Sequence, residues 1–232
     1  TTDNGFIITG ITESFGGTPH PFLTKVDSVG QEEWTKDYTG TVGYAYDVIQ
    51  TTDGGYMFVG GNDIFTGNGR DFLLVKTNTL GDTLWTGTYG RTGTDYAYGV
   101  KETTDGGYIM VGSSWNPNNS DNYDVMVVKT DVNGDSLWTK CYDFYTELAY
   151  DVELTSDGGY IITGDVSGNV MLLKIDAVGV MQWMNSVDGG AFDVGHSVKV
   201  TSDGGFIVAG ETESYGAGLS DAFLVKTDSL GV

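Results

Sequence analysis

A block of about fifty residues recurs from end to end of this 232-residue chain, and a period in that range is the mark of repeat architectures. Its most constant part, Asp-Gly-Gly or Asp-Asn-Gly, stands at Asp3, Asp53, Asp105, Asp157 and Asp203. Length alone allows one large domain or two small ones, but one unit repeated throughout argues for a single domain over residues 1–232.

Each unit reads as four short strands. The first is YAYDVIQT at Tyr44, YAYGVKET at Tyr96, LAYDVELT at Leu148 and VGHSVKVT at Val194. The second is GFIITG at Gly5, GYMFVG at Gly55, GYIMVG at Gly107, GYIITG at Gly159 and GFIVAG at Gly205. These are apolar at consecutive positions, so both faces of the sheet are expected to be covered. The third strand runs through FLTKVD, FLLVKTN, VMVVKTD, MLLKID and FLVKTD, and the fourth carries Trp34, Trp85, Trp138 and Trp183.

The connections decide how these strands pair. Ser/Thr-Asp-Gly-Gly joins first to second, where Asp bonds its own backbone and Gly accepts positive φ. Asp/Asn-x-x-Gly joins third to fourth, from Asp27, Asn78, Asp131, Asp176 and Asp228. Both are too short for parallel crossovers, so each unit is an antiparallel meander. Four short strands with two buried faces, repeated, predict an all-β chain of stacked four-stranded blades, a β-propeller. Second and third strands occur five times, first and fourth strands four times. Rings close with whole blades, so the chain is expected to be part of a longer array or a five-bladed ring with two incomplete sheets.

Composition excludes some partners. With 32 acidic and 11 basic residues the net charge is −21, which repels nucleic acid and anionic membrane surfaces at long range. No apolar run is long enough to span a bilayer. Cys141 is alone, so no disulfide framework exists within these residues. No charged and apolar leader opens the sequence, so an export signal is expected to have been removed or to lie outside it.

The motifs DGGYxxxG, LVKTDxxGDxxW and YGVxxTxDGG resemble the tandem propeller repeats of secreted and cell-surface proteins in bacteria and archaea. The likeness covers essentially the whole chain. It implies an extracellular or cell-surface module for adhesion or display, in some members joined to other domains of the same polypeptide. The Trp-bearing strand is also similar to that of quinoprotein propellers, where Trp side chains dock neighbouring blades. That implies docking by Trp34, Trp85, Trp138 and Trp183, but no cofactor-ligand set carries over, and no cofactor is expected.

Candidate chemistry is sparse. Lys25, Lys76, Lys129, Lys174 and Lys226 share one repeat position and are expected to be partly buried, each paired with a turn carboxylate such as Asp53 or Asp105. Asp131, Asn133 and Asp135 alternate oxygen donors like a calcium loop, yet position twelve is Tyr142 and not Glu, so an ordinary turn is expected and no metal site. Tyr46, Tyr98, Tyr150 and His196 open the innermost strand, with Asp47 and Asp151 beside them. They either wedge between blades or form an aromatic collar for sugar rings or peptide side chains.

Trp115 stands outside the repeat pattern in SSWNPNNSDNYD. With Asn116, Asn118 and Tyr123 it is a candidate contact for protein or glycan, the alternative being packing over the blade edge. The loops between second and third strands, 11–19, 62–70, 113–123, 165–169 and 211–220, vary most and are the expected recognition rim. No nucleophile recurs at a defined spacing from His196. The leading expectation is therefore a non-enzymatic recognition module; the alternative is a lyase or quinoprotein-like oxidoreductase using the central channel.

Overall fold

The computed structural model describes residues 1–14, 18–41, 43–62, 69–116, 122–145 and 147–232. They form 18 strands in five antiparallel sheets, and no helix long and apolar enough to cross a membrane occurs among them. The first sheet holds β1 (Phe6–Thr12), β2 (His20–Val26) and β3 (Glu32–Asp37). The second holds β4 (Gly43–Gln50), β5 (Tyr56–Asn62), β6 (Phe72–Thr77) and β7 (Thr83–Tyr89). In the third are β8 (Asp95–Glu102), β9 (Tyr108–Asn116), β10 (Asn122–Thr130) and β11 (Ser136–Tyr142). The fourth contains β12 (Glu147–Leu154), β13 (Tyr160–Val166), β14 (Asn169–Ile175) and β15 (Met181–Val187). The fifth has β16 (Asp193–Val200), β17 (Phe206–Thr212) and β18 (Asp221–Thr227).

Within every sheet, strands pair in chain order, as hairpin-length connections require. The Asp of each Asp-Gly-Gly or Asp-Asn-Gly turn accepts the N–H two residues on, for example Gly55 N to Asp53 Oδ1 at 3.0 Å. Gly54 takes φ of +85°, where a side chain would be strained. Asp131 accepts from the N–H groups of Asn133 and Asp135, as Asp27 and Asp176 do in the sister turns, so its oxygens cap a turn.

Consecutive sheets face one another, and the alternation of side chains along each strand splits the core into one cluster per junction. Tyr56 and Phe58 point to the first sheet, where Leu23 and Tyr38 meet them. Met57 and Val59 point the other way, to Ala97, Val100 and Met110 of the third. Ile109 and Val111 then meet the fourth sheet, and Ile161 and Leu172 meet the fifth. This is why second strands are apolar without a period: neither face sees water. Each fully buried aliphatic side chain contributes roughly 1.5–3 kcal/mol.

The fourth strands extend this docking. Trp34 packs on Tyr56, Trp85 on Tyr108, Trp138 on Tyr160 and Trp183 on Phe206, with ring centroids 5.7–6.5 Å apart, in each case reaching the following sheet. The Tyr38, Tyr89 and Tyr142 hydroxyls donate to the carbonyls of Gly81, Gly134 and Gly179, again one sheet ahead.

Each repeat lysine reaches the carboxylate of its own turn: Lys76 Nζ lies 2.8 Å from Asp53, Lys129 3.0 Å from Asp105 and Lys174 2.9 Å from Asp157. Lys25 pairs with Asp3 and Glu33, and Lys226 with Asp203. Lys25, Lys76, Lys129 and Lys174 lie across from a Trp, which covers their stems, and are 2–6% exposed. Lys226 is 44% exposed, because among the described residues no Trp strand pairs with β18.

These pairs set the acid limit of the fold. Burial pushes Asp53 up, but Lys76, Thr51 and the Gly55 N–H outweigh it and hold the carboxyl at about 2. Asp105 behaves alike, and Asp157, held first by Thr155 and then by Lys174, is also at about 2. A carboxyl depressed below its unfolded value near 3.9 adds stability above that pH and loses it as pH falls toward 2. The urea midpoint is therefore expected to drop between about pH 4 and pH 2, less steeply in an Asp53→Asn, Asp105→Asn, Asp157→Asn variant. Equal slopes would mean the pairs contribute nothing.

Two expected loops are shorter than the sequence suggests. In the third sheet, β9 and β10 run on through Ser113, Ser114 and Trp115 to pair with Val125, Asp124 and Tyr123, because β-favouring and small residues let the ladder continue. In the fourth, Val166 and Asn169 pair, leaving the two-residue turn Ser167–Gly168, both at positive φ.

Candidate functional site

The first strands β4, β8, β12 and β16 lie next to one another, and each carries a bulge near its start. Ala45 pairs with Gly60 and Asp47 with Val59, so Tyr46 has no partner across the ladder. Tyr98, Tyr150 and His196 are the skipped residues of the other three. A bulge re-aims its extra side chain out of the alternating pattern. The glycine opposite makes room: a Cβ on Gly60, Gly112, Gly164 or Gly210 would run into the bulged strand's carbonyl oxygen.

The four ejected rings form a continuous row. Tyr46 to Tyr98 is 5.0 Å between centroids, Tyr98 to Tyr150 5.3 Å and Tyr150 to His196 5.3 Å, all tilted. They line a cavity of about 320 Å³ together with Asp47, Lys101, Asp151, Ser197 and Lys199. Burial pushes the Tyr46 and Tyr150 hydroxyls up to about 12, with neighbouring phenols adding to it, so both stay protonated donors. His196 is exposed, its Nε2 3.4 Å from Glu211 Oε1.

Asp47 and Asp151 bridge sheets below the row. Asp47 Oδ2 accepts from Val100 N of the next sheet at 3.0 Å, and burial raises its affinity for a proton. Asp151 Oδ2 accepts from Val198 N and Ser197 Oγ, both at 3.0 Å, while Lys101 Nζ reaches Oδ1 at 3.2 Å. Lys199 lies 3.6 Å from Asp151 and 2.8 Å from Glu153. Ser197 Oγ donates to a carboxylate and has no imidazole bond, so it is not set up as a nucleophile.

The row is extended by residues that sequence reasoning missed. Tyr44 stacks on Tyr46 at 6.2 Å and Tyr96 on Tyr98 at 6.1 Å. Arg70 sits over Tyr44 and Tyr96, 5.1 and 5.5 Å from their centroids, and donates to the Tyr96 hydroxyl. The Tyr-Ala-Tyr pattern, set against the glycine ending each second strand, was the available signal.

Trp115 is not part of this row. It is partly buried in β9, across from Tyr123, with its ring against Gly93. Asn116 ends β9 opposite Asn122, and Asn118 lies outside the described residues.

No family model matches this chain, and no curated protein matches it. Among solved structures 31 chains are similar. One is the 1.35 Å crystal structure of a protein of unknown function from Bacteroides caccae, with a TM-score of 0.56 and 11% identity over 87% of this chain. The chain spans 64% of that protein's length. At such identity the likeness bears on the fold alone.

Proposed function

We propose that this chain is a non-enzymatic β-propeller module, working outside the cell or on its surface, whose bulged inner strands bind a neutral saccharide. The propeller reading draws support from five meander sheets facing one another in chain order with their first strands adjacent. The external location rests on the resemblance of the repeats.

The observation that carries the ligand class is the cavity's lining: three tyrosines and a histidine in one row, above two carboxylates and two ammonium groups. Aromatic rings offer an apolar face to sugar C–H groups and a polar tip to hydroxyls. Asp47 and Asp151 are balanced by Lys101 and Lys199, so the floor exchanges hydrogen bonds without a net charge that selects an ion. The varied loops at this end of the strands would add contacts for larger ligands.

Calorimetric titration with a panel of neutral oligosaccharides tests this. At least one is expected to bind, and Tyr98→Ala, which removes the ring touching both Tyr46 and Tyr150, is expected to weaken it about tenfold. No heat from any member, or undiminished binding by the variant, would overturn the proposal.

A further inference from the structure

Away from the aromatic row, Asp124 of β10, Asp143 just past β11 and Glu147 at the start of β12 bring carboxylate oxygens within 4.8 Å of one another, where the third sheet meets the fourth. A second observation comes from Glu147 itself. It is 0% exposed, its Oε1 accepts the Phe144 N–H at 2.9 Å, and its Oε2 has no hydrogen-bond partner.

The next repeat shows what is missing. Asp193 holds the same place at the start of β16, opposite Thr212. Its carboxylate accepts from Thr212 Oγ1, from Ser214 Oγ at 2.8 Å and from Gly189 N at 3.0 Å. Opposite Glu147 stands Val166, whose methyl groups donate nothing. A buried carboxylate oxygen without a donor is costly, and two further carboxylates beside it raise the cost. Arg91 Nη1 reaches Asp124 at 3.4 Å, one guanidinium set against three acids.

We propose that Asp124, Asp143 and Glu147 form a site for a hard divalent cation of the calcium class. The donors are all oxygen, and oxygens within 4.8 Å of one another can share an ion that binds each at about 2.3–2.6 Å. Two of the three are buried, while Asp143 is exposed, which leaves an entry path and room for water to complete the shell. The cation takes the part that Thr212 and Ser214 play for Asp193.

The test is thermal unfolding of the intact chain, stripped with chelator and then given about 10 mM CaCl2, a concentration suited to the millimolar affinities of extracellular sites. Wild type is expected to gain several degrees. Glu147→Gln and Asp143→Asn are expected to lose that gain, while Asp131→Asn, on a turn elsewhere, keeps it. Asp143 is exposed, so its variant decides the matter if Glu147→Gln fails to fold. No calcium-dependent shift in wild type, or an equal shift in the site variants, would overturn the proposal, the latter meaning diffuse attraction to an acidic surface.

Discussion

Gly164→Val is expected to collapse the junction between the fourth and fifth sheets. The new Cβ would run into the Leu148 carbonyl oxygen, with Ala149 Cα at 2.9 Å, and both are backbone atoms that no rotamer change can move. Ordinary overpacking costs about 1–3 kcal/mol; here the strand must leave its bulge, so the loss is expected at or above the top of that range. The bulge aims Tyr150, so the aromatic row is broken with it. Urea denaturation measures the loss. Gly40→Ala, where no atom lies within 4 Å of the added carbon, is the control expected to behave as wild type. Equal midpoints for Gly164→Val and Gly40→Ala would show that the bulge is not needed.

Trp85→Ala is expected to cost roughly 3–5 kcal/mol, lowering the melting temperature by roughly 10 °C. The indole packs on Tyr108 at 6.1 Å, lies against Gly134 of the next sheet and faces Lys76 across its own. Its removal opens the contact between sheets and uncovers an ammonium stem at once. Trp85→Phe is expected to recover part of the loss, since a ring still reaches Tyr108. An unchanged melting temperature in Trp85→Ala would remove the docking role from all four repeat tryptophans.

Much of this architecture is legible in the sequence because the repeat states each local rule several times. Asp-Gly-Gly fixes the hairpin, consecutive apolar residues mark strands covered on both faces, and a Trp opposite a Lys marks the edge strand. The aromatic row is half legible. The shared position of Tyr46, Tyr98, Tyr150 and His196 can be seen from spacing, but their contact depends on a bulge, a register shift of the partner strand. Arg70 over Tyr44 and Tyr96 is a meeting of residues from two sheets, which no spacing within one unit encodes.

The Trp115 segment misleads for a related reason. Its Asn and Ser content reads as a loop, while the ladder between β9 and β10 carries on because each residue has a partner opposite. The acidic trio is less legible still. It is assembled from β10, the end of β11 and the start of β12, and the step that leaves Glu147 short of a donor is a Val in place of a Thr on the facing strand.

The most direct test of the central claim is a carbon-detected or methyl-free aromatic NMR titration of tyrosine-labelled protein with the tightest oligosaccharide of the panel. Shifts concentrated on Tyr46, Tyr98 and Tyr150, with Tyr38 and Tyr142 unmoved at their sheet junctions, are the expected result. Shifts confined to Tyr123 and Tyr215, or spread evenly over all tyrosines, would contradict it.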